Sequence, residues 1–162
     1  MTIGVGDKVP DATLIRSSEN GYEQVKLSDL MAGKRIVIFG LPGAYTATCT
    51  QAHMPSFVRT YDDFREKGID AIYCVTVNDA QVAAHWADAT GATEVGIEVL
   101  ADARSEWTKA AGLEFSAPPV GFFDRCQRCA MVVNDGTIEV FQMETERGVC
   151  NMTAGETLLE MI

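Results

Sequence analysis

Residues 35–49 read RIVIFGLPGAYTATC. An apolar, β-prone run from Arg35 to Gly40 gives way to a Pro42-Gly43 turn and then to residues compatible with a helix. This order predicts a buried strand, a tight turn and a helix that opens near Cys49. The first N–H groups of a helix have no partner within it, and the positive end of the dipole lies among them, so a thiolate is favoured there. A free thiol titrates at about 8.5, and thiols in such settings fall to roughly 3.5–7.5. Cys49 is therefore expected to be the reactive cysteine of the chain.

The pattern extends outward from this junction. Ile69 to Val77 is a second apolar, β-prone run, and each of the two runs is followed by a stretch that can be helical. After Cys49, Phe57, Tyr61 and Phe64 recur at helical spacing, which predicts an aromatic face packed on a sheet. Pro55 lies within that helix, where it lacks an N–H and crowds the carbonyl of Gln51, so a kink or a restart is expected after the first turn. Ala80 to Thr90 reads as a second helix, capped by Asn78-Asp79, with Val82, His85 and Trp86 inward. Glu98 to Ala101 fits a short strand. Ala130–Val133 and Thr137–Phe141 flank Asn134-Asp135-Gly136, a strong hairpin signal because Asp-Gly tolerates positive φ. Gly155–Ile162 reads as a terminal helix. Alternating α and β elements closed by an antiparallel hairpin predict an α/β protein, a mixed central β-sheet flanked by α-helices on both faces.

Composition narrows the function. The 162 residues suit a single domain spanning 1–162, and no repeat, low-complexity tract or linker divides them. The formal charge of −10, from 13 basic against 23 acidic residues, argues against nucleic acid or an anionic membrane as partner. A small neutral substrate would not be repelled. The first residues lack a basic segment followed by an apolar one, so no secretory signal is expected, and no apolar run is long enough for a membrane span. Five cysteines, an odd number, fit free thiols in a reducing compartment, most simply the cytoplasm. Cys49 and His53 have no further ligands at metal spacing, and Cys126 and Cys129 lack the two more that zinc would need, so neither a metal nor a cofactor is expected.

Pro42-x-x-x-Thr46-x-x-Cys49 resembles the signature of the peroxiredoxins, thiol peroxidases on an elaborated thioredoxin fold. The wider segments PGAYTATCTQAHMPSF, VTVNDAQVAAHWA and RCQRCAMVVNDG resemble the type II, or peroxiredoxin 5, subfamily, in the same order and over nearly the whole chain. The resemblance implies a thioredoxin-like redoxin domain in which Cys49 attacks a peroxide oxygen and becomes a sulfenic acid. It further implies that Thr46 hydrogen-bonds the thiolate and the peroxide, and that Pro42 shields the sulfur. Arg128 would lend a permanent charge to the thiolate and orient the substrate, with backbone N–H groups around Gly43 and Cys49 as added donors.

By the same resemblance the substrate is hydrogen peroxide or an alkyl hydroperoxide, the reductant is glutathione with glutaredoxin or thioredoxin, and the protein is a homodimer packed near the active-site loop. Cys150 and Cys74 stand near positions of second cysteines in some members. Cys150 is the first candidate to resolve the sulfenic acid, and Cys74 reads as an inert strand thiol. His53, one helical turn from Cys49, is expected to be structural or to support the site, and His85 and Trp86 to carry no chemistry. Ala47 and Tyr45 depart from the usual wording without removing a reacting group. Cys126 and Cys129 bracket Arg128 where the family generally has no C-x-x-C, and read as incidental neighbours along one β segment. Two rivals remain from the sequence. A thioredoxin-like disulfide oxidoreductase would need a cysteine where Thr46 stands. A noncatalytic thiol redox sensor would use Cys49 only to register oxidation.

Overall fold

The computed structural model describes residues 1–162. Its strands are β1 (Thr13–Ser18), β2 (Gly21–Lys26), β3 (Arg35–Leu41), β4 (Ala71–Thr76), β5 (Glu98–Ala101), β6 (Glu114–Ala117), β7 (Phe122–Cys126), β8 (Cys129–Asn134) and β9 (Thr137–Met143). Its helices are α1 (Leu27–Met31), α2 (Met54–Glu66), α3 (Ala80–Ala89), α4 (Ala92–Val95), α5 (Glu106–Ala110) and α6 (Gly155–Leu159). Seven strands form one mixed sheet in the order β2-β1-β5-β4-β3-β8-β9, and β6 and β7 pair separately. β3, β4 and β5 run parallel, as their intervening helices require, while β8 lies antiparallel on the other side of β3.

β3 lies near the middle of the sheet because every residue from Ile36 to Leu41 is buried, and only a strand covered on both faces can be continuously apolar. Its side chains alternate between two cores. Val37, Phe39 and Leu41 join α2, α3 and α6 through Phe57, Trp86 and Leu158. Ile36 and Ile38 join α1 and α5 through Leu30 and Trp107. Helices thus cover both faces. Phe57 stacks on Phe39 with ring centroids 4.1 Å apart and lies 5.8 Å from Phe64, so the aromatic face of α2 rests on β3.

The hairpin closes through Asp135 (φ 48°) and Gly136 (φ 82°), both left-handed, as a two-residue turn between antiparallel strands demands. Asp79 caps α3 by accepting from Val82 N at 2.9 Å. Cys49–His53 is a π-helical turn, closed by Met54 N–H on the Cys49 carbonyl, and α2 follows with Pro55 in its first turn. A proline cannot donate to the carbonyl four residues back, and the wider turn absorbs that missing bond.

Three expectations need correction. Gly155–Ile162 is helical only through Leu159. His85 of α3 is exposed, and the inward residues are Ala83, Trp86 and Ala87. Cys126 and Cys129 do not share a β segment: they end β7 and begin β8, with Gln127 and Arg128 in the break between.

Candidate active site

Thr50 N–H donates to the Thr46 carbonyl at 3.0 Å, the first bond of the helix that follows the turn, so Cys49 falls among the leading residues whose N–H groups have no helical partner. Its side chain is fully buried in the core beneath α2. Arg128, 79 residues from Cys49 in sequence and only 7% exposed, reaches it from the β7–β8 break, and its Nη2 donates to Cys49 Sγ at 3.3 Å. The antiparallel pairing of β3 with β8 brings the two together, since it sets Gly40 opposite Cys129.

The same guanidinium fixes His53. Arg128 Nη1 lies 3.0 Å from His53 Nδ1, and because a guanidinium can only donate, Nδ1 is the acceptor. The proton then resides on Nε2, which donates to the Thr153 carbonyl at 3.1 Å. Complete burial, and secondarily the charge of Arg128, hold the imidazole well below its ordinary titration range, so it is neutral. His53 is thus no general base for the thiol. It supports the arginine, and its ring packs 5.0 Å from Phe39.

Thr153 is itself tied down by Glu144. That carboxylate accepts from Thr153 N–H (2.7 Å), Thr153 Oγ1 (2.6 Å) and Asn151 N–H (3.0 Å). These bonds outweigh desolvation and lower the titration of Glu144. The segment after β9 is therefore folded back against the site by one acidic side chain.

In the turn before Cys49, Thr46 Oγ1 donates to the Gly43 carbonyl at 2.7 Å rather than to the sulfur, which corrects the hydrogen bond expected in the resting site. The oxygen keeps lone pairs as an acceptor. Arg125 Nη1 donates to the Pro42 carbonyl at 3.0 Å, and the Ala44 N–H donates to Asn78 Oδ1 at 2.9 Å. Tyr45 adopts φ 65° and projects outward, its hydroxyl bonded to His85 Nδ1. Pro42, Thr46 and Arg128 line a cleft of about 790 Å³ whose other walls include Phe115, Pro118 and Glu144. Cys49 is not among the lining residues and meets them through Arg128.

The four remaining cysteines divide by position, and all five are free. Cys74 on β4 shares the core of Cys49, opposite Phe39 in the sheet register, and burial first, then proximity to Cys49, pushes its thiol well above its ordinary range. Cys126 and Cys129 occupy the opposite core. Contact with Cys129, followed by burial, raises Cys126 strongly, and the buried Asp102 adds to the effect. Cys150 is half-buried 3.8 Å from Thr153 Oγ1, and burial raises it too.

Arg125, Asn78 and Glu144 are engaged at this site without any local signature that singled them out in the chain. Asn78 and Arg125 lie within segments that carry the family resemblance, but their partners Ala44 and Pro42 are 34 and 83 residues away.

Comparison with known proteins agrees with the geometry. The Redoxin family model matches residues 4–154. "Peroxiredoxin-2E-2, chloroplastic" of Oryza sativa subsp. japonica is 38% identical over 165 residues, which cover 99% of this chain and 73% of the relative. Among solved structures, reduced Prx3 from Vibrio vulnificus in complex with H2O2 superposes with a TM-score of 0.92 at 36% identity, over 99% of each chain. Peroxiredoxin 5 from Alvinella pompejana gives 0.83 at 28% identity, over 98% of this chain and 96% of the other.

Proposed function

The chain belongs to the redoxin family as a type II peroxiredoxin, a thiol peroxidase on a thioredoxin-like fold, and from that premise we propose that Cys49 is the peroxidatic cysteine and Arg128 its charge partner. The Cys49 thiolate attacks one peroxide oxygen, the O–O bond breaks, and the departing oxygen leaves as water or an alcohol after taking up a proton. The sulfur is left as a sulfenic acid. The single observation that carries this reading is the 3.3 Å bond from Arg128 to Cys49 Sγ, because none of the other four cysteines has a cation bonded to its sulfur.

Thr46, Pro42 and Gly43 complete the substrate site. The Thr46 hydroxyl, already committed as a donor to Gly43, offers its lone pairs to the protonated peroxide oxygen. Pro42 covers the sulfur from the cleft side. Hydrogen peroxide and small organic hydroperoxides are the substrates, and the cleft beside Thr46 and Arg128 has room for either.

The sulfenic acid is reduced by an external thiol, glutathione with glutaredoxin or thioredoxin: the thiol displaces hydroxide from the sulfur, water leaves, and a second thiol releases Cys49 from the mixed disulfide. Cys74 is a poor resolver because burial keeps it protonated. Cys150 is the next candidate, half-buried and near enough to Arg128 for that charge to act on it. A homodimer in a reducing compartment such as the cytoplasm completes the proposal. Peroxide consumption by the wild type and by each Cys→Ser variant, with each reductant supplied separately, tests it. Cys49→Ser is expected to lose all turnover and the other four to retain most of it. Retained turnover in Cys49→Ser removes the mechanism, and a Cys49–Cys150 disulfide in most oxidised molecules removes its one-cysteine form.

A further inference from the structure

The turn ahead of Cys49 is pinned peptide by peptide. Both ends of the Gly43–Ala44 peptide are engaged: the Gly43 carbonyl accepts from Thr46 Oγ1 at 2.7 Å, and the Ala44 N–H donates to Asn78 Oδ1 at 2.9 Å. Asn78 is held in turn by Thr76 Oγ1, which donates to the same Oδ1 at 2.6 Å. In the preceding Pro42–Gly43 peptide only the carbonyl has a partner, Arg125 Nη1 at 3.0 Å. The C=O and N–H of a trans peptide point in opposite directions, so fixing the Pro42 carbonyl fixes the direction of the Gly43 N–H. That N–H has no acceptor within the protein, and Pro42 and Thr46 on either side of it line the cleft.

Arg125 is built for this hold. Its guanidinium also lies over the Phe122 ring, with Cζ 5.1 Å from the centroid, a second contact that holds it in place. A Cβ at position 43 would run into its Nη1 and would also come within 3.5 Å of Thr46 Cγ2, so the close approach of guanidinium to turn requires glycine there. Gly43 has no positive φ, and its need for glycine is therefore contact and not backbone strain.

We propose that Arg125 is a positioning residue that aims the Gly43 N–H into the cleft, as a preorganised donor to the peroxide oxygen that gains negative charge when the O–O bond breaks. Donors fixed in advance at such an oxygen cost no reorganisation during reaction. The inference rests on the reading of Cys49 as the attacking thiolate. Arg128 serves the sulfur, and Arg125, three residues earlier, serves the oxygen.

The test sets peroxide against an electrophile that has no departing oxygen. Rates of reaction with hydrogen peroxide and of Cys49 alkylation by iodoacetamide, the latter read on the Cys49 peptide by mass spectrometry, are measured on wild type, Arg125→Met, Arg125→Lys and Gly43→Ala. Arg125→Met is expected to slow the peroxide reaction about 10-fold or more while alkylation stays within about twofold. Arg125→Lys, which keeps a donor for Pro42, recovers part of the loss. Gly43→Ala displaces the guanidinium while retaining Arg125 and reproduces the selective loss, so it decides the matter if Arg125→Met does not fold. Equal slowing of both reactions assigns Arg125 a general structural or electrostatic role and overturns the proposal. So does a peroxide rate within about twofold of wild type in the Met and Ala variants, or a Lys variant as slow as the Met one. A wild type that consumes no peroxide, by contrast, strikes at the reading of Cys49.

Discussion

The two faces of the central sheet carry cysteines that are equally buried and differently placed. On the α2 face, Cys49 is fully buried and meets the guanidinium of Arg128 at 3.3 Å. On the α5 face, Cys126 is also fully buried, but it meets the second thiol Cys129, with the buried Asp102 nearby. Asp102 accepts hydrogen bonds from Trp107 N–H, Thr108 N–H and Thr108 Oγ1. Burial alone therefore does not distinguish a reactive cysteine from an inert one. What differs is the partner at the sulfur, a guanidinium donor at Cys49 and a second thiol at Cys126. Arg128 lies between Cys126 and Cys129 in sequence, yet its side chain serves the opposite face.

Removing the cation should erase most of the contrast. Arg128→Met is expected to lower the peroxide rate by about 100-fold, measured by rapid mixing, since a charge-assisted bond to the reacting atom is lost along with the partner of His53. Arg128→Lys should restore little, because one ammonium cannot reach both Cys49 Sγ and His53 Nδ1 in fork geometry.

The inert face is set by packing, and Gly40 probes it. A Cβ there would fall 2.7 Å from Cys126 Sγ and 3.1 Å from Cys129 Sγ. Gly40→Ala should cost roughly 1–3 kcal/mol in denaturant unfolding, and adding Cys126→Ala should return part of it. A Gly40→Ala protein as stable as wild type would show that the two sulfurs do not fill that space.

His53 gives a smaller, pH-dependent difference. Its titration is depressed in the folded protein, so below the usual imidazole value near 6.5 the unfolded chain takes up a proton that the folded one refuses. Stability is then complete above that pH and falls as pH drops, by at most about 1.4 kcal/mol per unit for one proton. His53→Gln, which retains an acceptor and a donor, should flatten this slope between about pH 6.5 and 5. An unchanged slope would mean that the native imidazole takes up a second proton as readily as the unfolded one. Smallest of all is the expected effect of Cys126→Ala with Cys129→Ala on peroxide turnover, within about twofold of wild type, because neither thiol touches the site.

How much of this contrast was legible beforehand follows the range of the interactions. β3, β4, the Asp135-Gly136 turn and the Asp79 cap are written in contiguous residues, and they lie where the patterns put them. Cys49, Thr46 and Arg128 are singled out by motif wording; Thr46 and Arg128 share one cleft, and Arg128 bonds Cys49 Sγ. The β1–β2 hairpin and the β6–β7 pair carry no such pattern: β2 and β6 have no buried residue, and β1 and β7 have one each. The tautomer of His53, the hold of Glu144 on Thr153 and the reach of Arg125 to Pro42 join residues 100, 9 and 83 positions apart or depend on a partner's chemistry. Which face of the sheet Cys126 and Cys129 share was hidden for the same reason. It depends on where β7 ends and β8 begins.

Arg128 at the sulfur sets Cys49 apart from the other thiols, and the site of first oxidation reads that difference. Wild-type protein is exposed to one equivalent of hydrogen peroxide in the presence of dimedone, digested, and each cysteine peptide read by mass spectrometry. The dimedone adduct of a sulfenic acid is expected on Cys49 and on none of Cys74, Cys126 or Cys129. Adduct or disulfide formed first at Cys126 and Cys129, with Cys49 unmodified, would contradict this.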